Sequence, residues 1–141
     1  MPYRLLGDFR SQPHCELPED YFKARDIWLD CREPDMLWIS KDANIGYDCK
    51  LITQSHDISD PPNYGRLTGR KIEIHKGAFV FGHSLLYNCV INECGIVAAG
   101  SVVRNIVVPP YHLVEGNPAK VTRIYSKTNK KWEKYVPFMP R

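Results

Sequence analysis

One histidine of the five in this chain, His56, stands where an imidazole could act as a general base. Imidazole titrates near working pH, so it can take the proton of a hydroxyl that is about to attack another group. His14, His75, His83 and His112 have no comparable setting and read as surface or structural side chains. His56 lies in Ser55-His56-Asp57, where a strand gives way to a polar loop that walls one side of the ring. Its tautomer needs a partner. Asp57 is adjacent, but successive side chains on an extended chain point to opposite faces. A nearby backbone carbonyl, Asp60 or an acid from a neighbouring subunit serves equally well.

A second cluster could meet phosphate. From Pro118 onward the chain carries Lys120, Arg123, Lys127, Lys130, Lys131, Lys134 and Arg141 against one acid, Glu133. The remainder holds 12 basic and 15 acidic residues, so the net charge of +3 hides a basic end on a mildly acidic body. No nucleic-acid reader motif accompanies these cations, and the aromatics beside them form no stacking pattern. A small phosphorylated cofactor is therefore expected rather than nucleic acid. The five cysteines are odd in number and lack C-x-x-C spacing, which argues for reduced thiols in a cytoplasmic protein and against a disulfide frame or a zinc knot.

The elements that must position these groups announce themselves by period. An aliphatic residue recurs every sixth position at Ile39, Ile45 and Leu51, then at Ile74, Val80 and Leu86, then at Ile91, Val97 and Val103. Four residues past most of them stands a small residue: Ala43, Cys49, Ser55, Ala78, Ser84, Gly95, Ser101. Neither a helix nor an ordinary strand has a period of six. Short strands of a prism-shaped coil do, with the aliphatic residue inside and the small one at the corner, and a fixed short period of this kind marks a parallel β-helix. An evenly spaced β-sandwich is the weaker alternative. Leu86 to Ile91 is five residues rather than six, which predicts a bulge or a tightened corner there.

With 141 residues, 43% hydrophobic and 25% charged, the chain reads as one soluble domain of 1–141. No apolar run reaches the ~20 residues of a membrane span, and Met1-Pro2-Tyr3-Arg4 opens no signal peptide. Residues 1–36 carry no six-residue pattern. Within them Pro18-Glu19-Asp20 precedes Tyr21, Phe22, Ile27 and Leu29, predicting a short helix with acids in its first turn that caps the open first rung. The coil is expected over 37–108, interrupted by a protruding loop over 54–71 with Asp60-Pro61-Pro62-Asn63-Tyr64-Gly65. A loop of that length inside a compact repeat is usually functional. Residues 109–141 form the basic tail.

Together, the repeat, Ser55-His56-Asp57 at the base of a loop, the run Val97-Ala98-Ala99-Gly100-Ser101-Val102-Val103 and Gly116-Asn117-Pro118-Ala119-Lys120-Val121 resemble the hexapeptide-repeat acetyltransferases, over about residues 37 to 124. The likeness is to the branch that O-acetylates sugars and antibiotics. It implies an all-β, left-handed parallel β-helix of about four coils, assembled as a homotrimer with active sites at subunit interfaces. It also implies acetyl-CoA as donor, His56 as general base and direct transfer with no acyl-enzyme. Phe79, Gly82 and Ala99 would line the groove for the pantetheine arm, while Arg104, Asn105, Lys120 and Arg123 would approach the CoA phosphates. Asp57, Asn63 and Tyr64, with the N-terminal segment, would contact the acceptor. That acceptor is expected to be a sugar, free, nucleotide-linked or lipid-linked, with an antibiotic alcohol or an amino sugar as alternatives.

Two further readings compete. Carbonic anhydrases of the γ type share the coil and hold zinc with three histidines, and His83 superficially matches one of them. Tyr87 and Asn88 stand where another ligand is needed, so no metal is expected. A non-catalytic scaffold or oligomerisation module is the remaining alternative.

Overall fold

The computed structural model describes residues 3–137; Met1, Pro2 and Arg141 of the readings above lie outside them. The chain enters on β1 (Arg4–Gly7) and passes through helix α1 (Glu19–Ala24) to β2 (Trp28–Cys31). It then winds through β3 (Leu37–Ile39), β4 (Asn44–Ile45) and β5 (Lys50–Ile52). A hairpin of β6 (Gln54–His56) and β7 (Leu67–Gly69) interrupts it before β8 (Ile72–Ile74) and β9 (Phe79–Val80). The last turns use β10 (Leu85–Ile91), β11 (Ile96–Val97), β12 (Val102–Val108) and β13 (His112–Gly116). An antiparallel pair, β14 (Ala119–Ser126) and β15 (Lys131–Lys134), ends the described chain.

The winding makes a three-sided prism of parallel strands. Side one stacks Ile39, Ile74, Ile91 and Val108 in register. Side two stacks Ile45, Val80, Val97 and Val114. Side three stacks Leu29, Leu51, Leu86 and Val103. All twelve are buried. The six-residue period thus has a direct physical meaning: each anchor fills the interior once per side, and the next rung places the same residue class above it.

The five-residue step is a tightened corner, and it occurs twice. Asn88 (φ 46°) and Asn105 (φ 57°) each turn the corner between sides three and one in the left-handed region, so β10 and β12 run on without a break. Asparagine tolerates that region better than most residues. Here the Asn88 Nδ2 also donates to the Asn105 Oδ1 at 2.8 Å. A turn therefore uses 17 residues, as the pairs Ile74–Ile91 and Ile91–Val108 show, rather than the 18 of three full hexads. At the corner between sides two and three, the Ser84 and Ser101 hydroxyls donate to the Phe81 and Ala98 carbonyls at 2.9 and 2.7 Å. One residue past the Ile45 anchor a further position must be small: a Cβ on Gly46 would lie 2.6 Å from the Gly82 amide of the next rung. Ser55 is an exception among the small positions, because it leaves the coil on β6.

The N-terminal segment is more than a helical cap. Helix α1 sits below side two, with the Tyr21 hydroxyl accepting from the Ile45 N–H at 2.9 Å and donating to its carbonyl at 3.3 Å. Beside it, β1 and β2 add two parallel rungs to side three, and Cys15 bridges to Ile39 on side one. These rungs carry no hexad pattern because side chains do part of the work of the ladder. The Gln12 Oε1 accepts from the amides of Met36 and Leu37, and its Nε2 donates to the Glu33 carbonyl. The basic end likewise is no loose tail through residue 134. Past Gly116 the chain reverses, and β14 and β15 extend side two by two antiparallel strands. All five cysteines are free thiols. No helix of the described residues is long and apolar enough to cross a membrane.

Candidate active site

The corner that Asn88 and Asn105 turn in one residue opens, one rung lower, into the hairpin β6–β7. Gln54 pairs with Gly69, Ser55 with Thr68 and His56 with Leu67. Each pairing step carries the chain farther from the prism, so His56 stands exposed at the end of β6, where the loop begins. Its Nδ1 lies 2.5 Å from the Tyr64 carbonyl oxygen. A carbonyl only accepts, so Nδ1 carries the proton and donates, leaving the Nε2 lone pair free. That partner is the backbone carbonyl among the alternatives above.

The nearby acids are engaged elsewhere. The Asp57 carboxylate accepts from the Ser59 amide at 2.9 Å, and hydrogen bonds from the Ser59 side chain and backbone hold its pKa below the usual carboxylate value. The Asp60 side chain accepts from the Asn63 Nδ2 at 3.0 Å, and its carbonyl accepts from the Asn63 N–H at 2.7 Å. These bonds shape the loop so that Tyr64 presents its carbonyl to His56, while the Tyr64 ring is exposed. Asp57, Asn63 and Tyr64 thus share one loop with His56. Gln54, two residues before His56, is buried with neither amide atom partnered among the described residues.

The remaining predicted residues divide between two edges of the prism. Phe79 points outward from side two; Gly82 and Ala99 lie on successive rungs of the corner between sides two and three, where the Gly100 N–H donates to the Gly82 carbonyl at 3.0 Å. Lys120 and Arg123 lie on β14, at the upper end of side two. Arg104 and Asn105 stand instead at the corner between sides three and one, the hairpin's corner, where Asn105 is bonded to Asn88. A side of five or six residues at ~3.3 Å each keeps the corners up to ~20 Å apart. The topology therefore places His56 at one corner of the prism and Phe79, Gly82 and Ala99 at and beside another.

Phe79 and Gly82 also line a cleft of about 480 Å³, whose other walls include Tyr21, Arg25, Tyr47, Phe81 and His83. The alternation Phe79-Val80-Phe81 carries its signal in the sequence, since a buried Val80 turns both rings outward. Arg25 carries none, because helix α1 had first to be placed beneath β4. The His83 Nε2 lies 3.8 Å from the Asp48 Oδ2, and among the described residues no three His, Cys, Asp or Glu side chains group as metal ligands.

Neither a protein-family model nor a curated protein sequence matches the chain. Solved structures do. A variant of AntD, an N-acyltransferase from Bacillus cereus in complex with dTDP-4-amino-4,6-dideoxyglucose and coenzyme A, superposes with a TM-score of 0.63 at 20% identity over 74% of this chain and 60% of that one. A maltose O-acetyltransferase from Clostridium difficile gives 0.58 at 20% identity over 72% and 57%. A hexapeptide-repeat-containing acetyltransferase from Vibrio cholerae, complexed with acetyl coenzyme A, gives 0.58 at 24% identity over 70% and 53%. The fold is that of the hexapeptide-repeat acyltransferases. The chain spans 60% or less of the length of each of these three structures.

Proposed function

We propose that this chain is an acetyl-CoA-dependent O-acetyltransferase acting on a hydroxyl of a sugar or sugar-containing acceptor. The observation that carries the reading is the bond from the His56 Nδ1–H to the Tyr64 carbonyl, which leaves a basic nitrogen on an exposed ring. His56 Nε2 takes the acceptor's hydroxyl proton as the oxygen attacks the thioester carbonyl. The tetrahedral intermediate then collapses, expelling the CoA sulfur, which receives the proton from the imidazolium. No covalent bond to the protein forms. The bound coenzymes of the AntD and Vibrio cholerae structures support the choice of donor.

Because His56 and the groove occupy different corners, the reaction needs two copies of the chain, the hairpin of one meeting the Phe79–Gly82–Ala99 groove of the next. A closed trimer repeats that contact three times. Lys120 and Arg123 meet the donor's phosphates at the upper end of the groove, while Arg104 and Asn105 reach the donor from the hairpin side. Asp57, Asn63 and Tyr64 contact the acceptor. The amino-sugar nucleotide held by AntD favours one second reading, acetylation of an amine on the same scaffold.

Thermal melting of the purified protein with and without excess acetyl-CoA tests the donor. At ~100 times its dissociation constant a ligand adds about 2.7 kcal/mol, enough to raise the melting point by several degrees. A folded protein that shows no such rise, and releases no free CoA with any hydroxylated or amino sugar, would sink the proposal and leave a scaffold.

A further inference from the structure

The geometry points to an anion-binding subsite in the cleft below Phe79 and Phe81: we propose that Arg25 binds a phosphate or diphosphate of the acceptor, and that a planar ring of the same molecule packs on the two phenylalanines. The inference rests on the acetyl-transfer reading for its purpose; it shares Phe79 with the proposed donor groove, while Arg25, Tyr21 and Phe81 have no part in that reading.

Arg25 is positioned before any ligand arrives. Its guanidinium carbon lies 3.6 Å from the centroid of the Tyr21 ring, and its Nη1 donates to the Tyr21 carbonyl at 3.1 Å. Tyr21 is itself pinned, its hydroxyl bonded to both backbone groups of Ile45. A guanidinium held this way loses little freedom on binding, and its planar fork suits a phosphate oxygen pair. Like most cations of the described residues, Arg25 has no carboxylate within ion-pair distance, and its guanidinium is held by Tyr21 alone. The nearby Asp48 carboxylate faces His83 instead. An immobilised, half-buried cation without a counter-charge, opening on a cleft, is built for an anion that comes from outside the chain.

The rest of the cleft suits a ring. Phe79 and Phe81 are 39% and 41% exposed, their centroids 4.4 Å apart, and Tyr47 opposite them is 62% exposed. Two adjacent aromatic rings left in water gain from any apolar surface that covers them. Their planes differ by 52°, so a flat ligand stacks on one ring and meets the edge of the other.

The donor's own phosphates are the other source of such an anion, and distance argues against them. Arg25 sits at the level of β4, whereas Arg123 lies on β14, four strands up the order β4-β9-β11-β13-β14. At ~4.8 Å a step that is ~19 Å, so one diphosphate cannot meet both cations.

Calorimetric titration of the full chain with UDP, uridine and CoA, in the native protein and in Arg25→Gln and Arg25→Lys, separates these cases. UDP is expected to bind, uridine to bind at least about tenfold more weakly, and Arg25→Gln to weaken UDP by about tenfold or more while CoA affinity stays within about twofold. Arg25→Lys keeps the charge but loses the fork and falls between. UDP that fails to bind, or binds Arg25→Gln as well as the native chain, overturns the proposal. So does a parallel loss of CoA in a variant with native melting, which would hand the anion to the donor. Loss of CoA binding in the native chain with UDP retained would instead refute the acetyl-transfer reading and leave the subsite standing.

Discussion

The corner between sides three and one is built in two ways. On two rungs a single asparagine turns it, Asn88 and Asn105, linked by one side-chain hydrogen bond. On the rung below, the same corner runs from Thr53 to Lys71, projects as the β6–β7 hairpin and carries His56. The rungs above and below are unaffected, because β8 is held in register by β3 beneath it and β10 above it. A repeat that binds each strand to its neighbours can release one corner for chemistry without loosening the stack. The coil supplies rigidity, and the proposed base stands on a hairpin that departs from it.

Substitutions on the two versions should therefore have opposite signatures. On the hairpin, His56→Ala is expected to lower the acetyl-transfer rate by ~10²–10⁴ with a melting temperature close to that of the native chain. Steady-state rates and melting curves on the same preparation check both halves, and a His56→Ala variant with native rates would remove the hairpin from the chemistry. In the coil the ordering inverts. Leu86 is fully buried in the side-three column, so Leu86→Ala should cost about 2–5 kcal/mol in a urea titration. At the tight corner the effect is smaller. Asn88→Ala, forced into the left-handed region and without the bond to Asn105, should lose ~1–2 kcal/mol, and Asn88→Gly less than Asn88→Ala. Equal losses would mean that the side-chain bond, not the backbone, holds the corner.

A pH dependence comes from acidity in the core. Burial pushes the Cys31 and Cys89 thiols up to about 12 from the ordinary value of 9.0. Below pH 9 both are protonated in the folded and unfolded chain and add no pH dependence. As pH rises from 9 toward 12, the unfolded chain loses protons that the folded chain keeps, so stability falls with pH over that window. Melting from pH 8 to 10.5 should show the decline, and Cys89→Val should flatten it.

Much of the coil was legible because its signal is repetitive: each of the nine anchors between Ile39 and Val103 occupies the interior. The five-residue step at Leu86–Ile91 was also visible; its twin at Val103–Val108 lies past the last aliphatic anchor, and the two steps together describe a turn of 17 residues with an asparagine corner. The lowest rungs were hidden because the Gln12 side chain replaces part of the ladder, leaving no period to find. His56 and its loop were placed by motif. The group that orients it was not identifiable, since a Tyr64 carbonyl has no residue type to give it away. Arg25 was invisible for a similar reason: its role depends on the packing of α1 against Ile45, a contact between distant parts of the chain.

The central claim is that the proposed base and groove belong to different copies of the chain, and complementation tests it most directly. His56→Ala keeps its groove, and Ala99→Trp, at an exposed corner residue, blocks its groove but keeps its hairpin. Each variant alone should be inactive. Co-expressed or refolded together, they should regain a readily measured fraction of the native acetyl-transfer rate, because some interfaces then pair an intact hairpin with an intact groove. A mixture as inactive as its two components would contradict the account.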